Sequence, residues 1–213
     1  MEIRADLNLP AWQHPEGWTW VDSPQPGVAR VMLDRVGDEV AVATSIVRYQ
    51  PGSRFPAHLH ARGEEFIVLE GEFADEHGRY PAGSYVRNPP GSRHAPFSDP
   101  GCMIWVKLRQ FQDGDQTTLR TRLDMPIPSS GTNERVLHEF GDERVRIVAA
   151  AAGEELLIPA AAVPQEVLVL EGAVTWREET FRPHGWIRQP AGHAVQLTAD
   201  APARIFSKTR PPG

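Results

Sequence analysis

The stretch His58-Leu59-His60-Ala61-Arg62-Gly63-Glu64, with the later Pro89-Pro90-Gly91-Ser92-Arg93-His94, carries the most information about the fold and chemistry of this chain. Side chains two residues apart on a strand point to one face, so one strand can present both His58 and His60. Glu64 follows a short turn and His94 a Pro-Pro-Gly corner, so each comes from another strand. Three imidazoles and one carboxylate suit a divalent transition metal. The spacing therefore predicts a β structure with one mononuclear metal site, formed by His58, His60, Glu64 and His94.

The chain also repeats itself at a constant offset of 101 residues. Glu65–Gly71 matches Glu166–Gly172, and Arg87–Gly91 matches Arg188–Gly192, with no gap from residue 52 to residue 107. A period of roughly 100 residues is typical of a whole domain and too long for a solenoid repeat. The repeat therefore predicts two copies of one domain.

The second copy keeps the framework and lacks the ligands. The positions of the four predicted ligands correspond to Pro159, Ala161, Gln165 and Val195. Upstream, Gly37–Val40 pairs with Gly141–Val145 after a small change in length. We predict one domain in residues 1–125, which includes an N-terminal arm and the metal site. A second domain in residues 126–213 has no metal, and we expect it to serve packing or dimerisation.

Composition excludes several classes of protein. The net charge is −6 and no segment is dense in Lys or Arg, which argues against nucleic acid as a partner. No apolar run reaches the roughly 18 residues of a membrane helix, and the first residues lack the apolar core of a secretory signal. We therefore expect a cytoplasmic protein with no membrane partner. Cys102 is the only cysteine, which excludes a disulfide framework, and we expect it to be buried.

Short apolar runs between 18 Gly and 20 Pro predict a turn-rich, all-β fold. The strands expected in the first domain include residues 40–49, 58–60, 66–69, 85–87 and 103–108. Three connections are also predicted: a hairpin turn at Asp75–Gly78, a polar loop at Gln112–Thr118 and the interdomain linker at Pro126–Asn133. Residues 1–36 are rich in Trp and Pro, and we expect an arm there with one or two strands. Antiparallel strands that close on themselves form a small barrel or a jelly roll.

Two spaced motifs resemble those of the cupin superfamily. The first has a glycine, the His-x-His pair, a glutamate and a second glycine: Gly52, His58, His60, Glu64 and Gly71. The second has a glycine, Pro-x-Gly and a histidine: Gly83, Pro89, Gly91 and His94. The resemblance implies two tandem cupin barrels, each a double-stranded β-helix or jelly roll. The spacing to Gly71 selects Glu64 over its neighbour Glu65, which faces the other way on the strand.

Residues 27–111 further resemble the ChrR type of cupin, the domain at the C-terminal end of zinc-dependent anti-sigma factors. The similar segments are Gly63–Phe73, Asp75–Gly78 and Tyr85–His94. This resemblance implies zinc binding and a part in responses to reactive oxygen species. Anti-sigma factors of this kind carry a Cys-x-x-Cys zinc site that this sequence lacks, so we do not expect a sigma factor as a partner.

Two functions follow, from different classes. One is a non-enzymatic sensor or regulatory module with a ChrR-like metal site. The other is an Fe(II)-dependent dioxygenase that cleaves a small β-diketone or phenolic substrate, since two histidines and a carboxylate are the ligands of non-haem iron oxygenases. We expect one divalent ion per chain, zinc or iron before nickel or manganese, with a small molecule or O₂ as its partner. Tyr85, Arg87 and Arg48 are candidates for lining the pocket, and a homodimer is expected by analogy.

Overall fold

The computed structural model describes residues 2–37 and 41–210, and its regular structure is almost entirely strand. The first thirteen strands are β1 (Ala11–Gln13), β2 (Val21–Asp22), β3 (Val28–Val36), β4 (Val42–Tyr49), β5 (Ser53–Arg54), β6 (His58–His60), β7 (Glu64–Asp75), β8 (Gly78–Pro81), β9 (Ser84–Asn88), β10 (Ser92–His94), β11 (Phe97–Ser98), β12 (Cys102–Leu108) and β13 (Leu119–Arg122). The remaining strands are β14 (Thr132–Phe140), β15 (Glu143–Ala150), β16 (Glu155–Ile158), β17 (Gln165–Glu171), β18 (Val174–Trp176), β19 (Glu179–Phe181), β20 (Trp186–Gln189), β21 (Val195–Ala199) and β22 (Ala203–Thr209). The helical content of the described residues is one 3-10 turn, Pro15–Gly17. The predicted all-β class is thus confirmed.

These strands form two compact units. Of the described residues, one unit contains Glu2–Ala5 and Thr19–Leu123, and the other contains Asp6–Trp18 and Asp124–Arg210. The domain boundary between residues 125 and 126 stays a prediction. The predicted linker is too long by two residues, because β14 already begins at Thr132.

The first unit is built on a long antiparallel sheet with the order β13-β9-β7-β12-β4-β3-β2, and β6 and β10 pair separately. Its core lies on the inner face of that sheet, where apolar side chains from alternate strand positions meet. Members of this core include Val28, Phe66, Val68, Phe73, Val86 and Ile104. Cys102 belongs to the same core, and burial raises the pKa of its thiol to about 11. The expectation that Cys102 is buried is confirmed.

The second unit contains a six-stranded sheet, β1-β20-β17-β22-β15-β14, and a four-stranded sheet, β16-β21-β18-β19. A larger apolar core fills it, and members of this core include Leu156, Ile158, Val167, Ile187, Val195 and Leu197. Val167 lies on β17, the counterpart of β7, and Val195 stands at the position of His94, so aliphatic side chains of the core lie where the first copy has its candidate metal centre.

The internal repeat is visible in the strand order. The path β9-β7-β12-β4-β3 of the first unit corresponds strand by strand to β20-β17-β22-β15-β14 of the second. A break in register falls at the same point in both copies, next to Ile104 and next to Ile205. Both copies also have a glycine at a corresponding position where a side chain would not fit. A Cβ on Gly71 or on Gly172 would lie 2.1 Å from a backbone oxygen. The sequence repeat thus encodes one fold twice.

The N-terminal arm differs from the prediction of one or two strands. It contains three, because β1 and β2 are followed by β3, which is a full strand of the first sheet. Within the second unit, β1 extends the sheet by pairing with β20, so that Ala11 lies opposite Arg188. Trp12 packs edge-on against Trp176 with ring centroids 5.7 Å apart. The aromatic residues of the arm thus serve packing.

The predicted strands of the first copy are confirmed, since residues 58–60, 66–69, 85–87 and 103–108 all lie within strands. The turn at Asp75–Gly78 is confirmed as the connection between β7 and β8. The predicted strand at residues 40–49 is present from Val42. Its start at Val40, like the pairing of Gly37–Val40 with Gly141–Val145, involves residues outside the described part of the chain. No helix within residues 2–37 and 41–210 has the length and hydropathy to cross a membrane.

Candidate metal centre

Three strands of the first unit bring the predicted ligands together. Strands β6 and β10 pair antiparallel with His58 directly opposite His94, and His60 follows two residues after His58 on the same face. Strand β7 begins at Glu64, after a tight turn in which Gly63 has a φ of 78°. A side chain at position 63 would collide with Phe111, since its Cβ would lie 2.3 Å from the ring. The close turn lets the first residue of β7 lie level with the two histidines of β6.

The four side chains converge on one point. The candidate ligand atoms of His58, His60, Glu64 and His94 all lie within 4.8 Å of one another. The three imidazole rings form a nearly equilateral triangle, with centroid separations of 4.7, 4.9 and 4.8 Å. Oε1 of Glu64 lies 3.6 Å from Nε2 of His60 and 3.6 Å from Nε2 of His94. This compact set of nitrogen and oxygen donors has the composition of a transition-metal site.

Hydrogen bonds to backbone and carboxylate oxygens orient two of the rings. Nδ1 of His58 donates to the carbonyl oxygen of Pro56 at 2.9 Å, and Nδ1 of His94 donates to Oδ2 of Asp75 at 3.1 Å. A proton on Nδ1 leaves Nε2 with a free lone pair, which is the arrangement of a metal-bound histidine. Nε2 of His60 and Nε2 of His94 are buried and have no hydrogen-bond partner among the described residues. Buried nitrogens without a partner are costly, so the donor set fits a metal ion.

The protonation equilibria favour neutral imidazoles at His58 and His60. At His94, burial lowers the pKa, but the hydrogen bond to Asp75 and the charge of Glu64 outweigh it and raise that pKa. Burial and the neighbouring imidazoles of His94 and His58 lower the pKa of His60 to about 3. Burial also lowers the pKa of His58. Burial raises the pKa of Glu64, although His94 and the Asn88 amide act in the opposite direction. Burial thus disfavours charge on His58, His60 and Glu64, and a cation would relieve the cost of the buried carboxylate.

Asp75 is a functional residue that the sequence prediction placed only in a turn. Its Oδ2 accepts from His94, while its Oδ1 accepts from the backbone N–H groups of His77 and Gly78 at 2.8 and 3.1 Å. The hydroxyl of Tyr80 also donates to Oδ1, at 3.2 Å. These bonds lower the pKa of Asp75 in spite of its burial. Asp75 thus remains a carboxylate and holds His94 in place, but the sequence marks it only as the start of an Asp-x-x-Gly turn.

A cavity of about 310 Å³ opens beside the four side chains. Its walls are largely apolar, and the residues that form them include Val28, Val47, Tyr49, Phe73, Ile104 and Val106. Strand alternation explains this lining, because Val47 and Tyr49 on β4 face inward together, as do Ile104 and Val106 on β12. The volume is at the lower end of the ~300–1,000 Å³ typical of small-molecule sites.

The three other predicted pocket residues lie elsewhere in the first unit. Glu65 faces away from Glu64 and accepts from the hydroxyl of Tyr85 at 2.7 Å and from Arg87 at 2.9 Å. Arg87 is fully buried and also bonds Asp115 at 2.8 Å. The guanidinium of Arg48 stacks on Trp20, 4.2 Å from the ring centroid, beside a separate recess. Alternation along β4, β7 and β9 directs these side chains to the face opposite the cavity.

Comparison with known proteins supports this description. Residues 10–112, just under half of the chain, match the family model of the ChrR cupin-like domain. The whole chain also superposes on pirin YhhW from Escherichia coli, solved with nickel(II), with a TM-score of 0.68 and 16% identity over 96% of this chain and 100% of that one. The chain has the cupin fold. The superposition over both units shows that the cupin fold occurs twice.

Two further solved structures share the tandem cupin fold. A proposed dioxygenase from Nostoc punctiforme has a TM-score of 0.71 at 14% identity, over 99% of this chain and 82% of that one. A variant of oxalate decarboxylase from Bacillus subtilis has a TM-score of 0.63 at 11% identity, over 94% of this chain and 77% of that one. Identities this low establish the fold alone. No curated protein matches the sequence.

The second cupin domain replaces the candidate metal centre with hydrogen bonds and apolar packing. Gln165 stands where the first domain has Glu64, and its Nε2 donates to the carbonyl oxygens of Pro159 and His193, each at 2.9 Å. Val195 stands in place of His94 and is fully buried in the core. The amide of Gln165 thus joins segments that correspond to β6 and β10. The polar link between those segments is kept without an ion.

Proposed function

We propose that the first cupin domain holds one divalent metal ion through His58, His60, Glu64 and His94. The observation that carries this proposal is the pair of buried Nε2 atoms of His60 and His94. In the part of the chain that the structure describes, they have no hydrogen-bond partner and lie at equal distances from the Glu64 carboxylate. The mixed nitrogen and oxygen donors suit iron(II), manganese(II), nickel(II) or zinc(II), and softer thiolate-binding ions are disfavoured. Nickel(II) in pirin YhhW and Mn(II) centres in oxalate decarboxylase support an ion of this group.

We further propose that this domain is a dioxygenase acting on a small organic molecule, with the β-diketones and phenolics as the first substrate classes to test. The cavity beside the ligands supports an enzyme, because structural metal sites are closed and catalytic sites keep room for a substrate. In such a reaction a carbon–carbon bond breaks and both atoms of O₂ enter the products. When bound, a divalent iron supplies Lewis acidity and the redox capacity for dioxygen chemistry.

In this proposal the protein's own residues orient the histidine rings and provide an apolar surface for the substrate. The Asp75 carboxylate orients the ring of His94, and the Pro56 carbonyl orients that of His58. Apolar walls such as Val47, Phe73 and Val106 receive the body of the substrate and exclude water from it. The family match and the cavity thus support a metal site that takes a small molecule.

Oxygen consumption tests the dioxygenase proposal directly. The protein loaded anaerobically with iron(II) is mixed with a panel of β-diketones and phenolics, and an oxygen electrode follows the reaction. We expect uptake with at least one compound and its loss in the His60→Ala variant. Arg62→Gln, on the exposed turn beside the site, serves as a matched control that keeps the activity. Uptake that never exceeds the His60→Ala background would refute the proposal.

A sensor role is the second candidate, and the match of residues 10–112 to the ChrR cupin-like domain favours it. A sensor would lose or change its metal in response to reactive oxygen species without turning over a substrate. Zinc release from loaded protein, measured with a chromogenic chelator during exposure to singlet oxygen or peroxide, distinguishes the two roles. Release in proportion to dose, with no oxygen uptake on the panel, would select the sensor. A homodimer is part of either proposal, and sedimentation tests it.

A further inference from the structure

Two arginines line the cavity beside the candidate metal centre. Arg30 is exposed and Arg109 is partly buried, and both line the same cavity as the four candidate ligands. Within residues 2–37 and 41–210, neither guanidinium has an ion pair or a hydrogen bond from its side chain. Glu64 is the only acidic residue among those that line the cavity. The cavity therefore presents two positive charges that no acidic side chain of the described chain neutralises.

The backbone fixes both arginines toward the cavity. Arg30 follows Val28 by two residues on β3, so the two side chains share the inner face, and Arg30 lies opposite Val47. Arg109 directly follows β12, whose last residue Leu108 is paired with Glu64. Arg109 has a φ of 63°, and its N–H donates to the carbonyl oxygen of Gly63 at 3.0 Å. A left-handed backbone is costly for a residue with a side chain, and such strain is concentrated at functional sites.

The cavity thus joins three kinds of surface: the metal ligands, an apolar wall and two free guanidinium groups. We infer that its ligand is an organic anion with an apolar body, which has an oxygen-donor group at the metal and a carboxylate held by Arg30, by Arg109 or by both. The metal-side contact rests on the proposed function, whereas the recognition of the carboxylate does not. A guanidinium pairs with a carboxylate through two parallel N–H bonds, and an apolar wall beside such a pair strengthens it by excluding water.

The experiment uses two probes that differ only in charge. Octanoate and octanamide have the same apolar body, and calorimetry measures their affinity for the full-length, metal-free protein. We expect octanoate to bind roughly tenfold more tightly than octanamide, because a charge-assisted bond replaces a neutral one. The double variant Arg30→Gln/Arg109→Gln should bring that ratio close to one while leaving the affinity for octanamide unchanged. Arg62→Gln, an exposed arginine outside the cavity, is the control and should keep the full ratio.

A second arm adds the metal. Cobalt(II)-loaded protein is titrated with the monohydroxamates of linear dicarboxylic acids from glutarate to suberate and with their primary amides, and the visible absorption of cobalt reports binding at the ion. We expect at least one acid to bind roughly tenfold more tightly than its amide, with the preference lost in the double arginine variant.

The two arms separate the failure of the inference from the failure of the proposed function. If cobalt does not bind, the proposed metal centre is wrong. The ratio of the octanoate and octanamide affinities, measured by calorimetry, still tests the role of the arginines. Equal binding of octanoate and octanamide by the wild-type protein would overturn the inference. So would a preference for octanoate that survives in the double variant.

Discussion

Nδ1 of His94 lies 3.1 Å from Oδ2 of Asp75, and the other oxygen of that carboxylate accepts two backbone N–H bonds and the hydroxyl of Tyr80. The hydrogen bonds of this one turn thus hold the Asp75 carboxylate in a fixed position, where it accepts from the ring of His94. The Nε2 atom of the same ring is buried beside Glu64, with no hydrogen-bond partner in residues 2–37 and 41–210. This relationship links the local Asp-x-x-Gly turn to the geometry of the candidate metal centre, and it leads to the first prediction.

The Asp75→Asn substitution should weaken metal affinity by roughly 10–100-fold, the usual effect of losing a carboxylate behind a ligating histidine. The asparagine keeps the size of the side chain but loses the charge that fixes the proton on Nδ1 of His94. Competition with a chelator of known affinity measures the change. Asp99→Asn removes an exposed carboxylate that pairs with Arg79 and Arg54, and it should have no effect. Equal affinity in wild type and Asp75→Asn would contradict the assigned role.

Substitution of Glu64 should affect metal binding, whereas substitution of its neighbour Glu65 should affect stability. Glu64→Gln should abolish metal retention during dialysis, yet the metal-free variant should be at least as stable as metal-free wild type, because burial disfavours the ionised carboxyl of Glu64. Glu65→Gln should keep the metal and lower the free energy of unfolding by about 1.5–3 kcal/mol, since Arg87 would lose one of its two buried carboxylate partners and keep Asp115. Metal analysis and urea unfolding measure both effects. The opposite pattern would show that the ligand has been assigned to the wrong glutamate.

Gln165 should be a stability residue of the second cupin domain. Gln165→Glu replaces the amide that donates to the carbonyls of Pro159 and His193 with an acceptor that faces two acceptors. We expect a loss of about 2–5 kcal/mol in unfolding free energy and no additional metal, because the other former ligand positions are apolar. Gln196→Glu, on the exposed face of β21, is the matched control. A gain of a second ion by the Gln165→Glu variant would contradict this prediction.

His60 should make the metal-free protein sensitive to acid. Its pKa is lowered to about 3 in the folded state, below the ordinary value of 6.5, so the unfolded chain binds more protons between these values. Stability should therefore fall as the pH drops from 6.5 toward 3, by at most about 1.4 kcal/mol per pH unit for this one group. Urea unfolding in the presence of a chelator measures the slope. The His60→Gln variant should have a shallower slope, and an unchanged slope would show that His60 is not the cause.

Much of the fold could be predicted from the sequence because the decisive signals are local or repeated. The His-x-His spacing places His58 and His60 on one strand face, and the offset of 101 residues carries the strand order from one copy to the other. The pairing of β6 with β10 then brings His94 opposite His58, and His94 lies on a separate strand, as predicted.

The remaining features depend on contacts that spacing does not encode. Asp75 reaches His94 only because the hairpin between β7 and β8 folds over β10. Tyr85 and Arg87 were candidates for the pocket, but the alternation of β9 turns them toward Glu65. The pairing of β1 with β20 joins residues 11–13 to residues 186–188, and neither segment has a pattern that specifies the other.

Metal content after reconstitution shows directly whether His58, His60, Glu64 and His94 hold one ion. Full-length protein is loaded with iron(II), manganese(II), nickel(II) or zinc(II), dialysed and analysed by mass spectrometry of the elements, beside a His58→Ala/His94→Ala variant. We expect one ion per chain for at least one of these metals and none for the variant. No retained ion with any of the four metals would contradict this expectation, and so would equal retention by the variant.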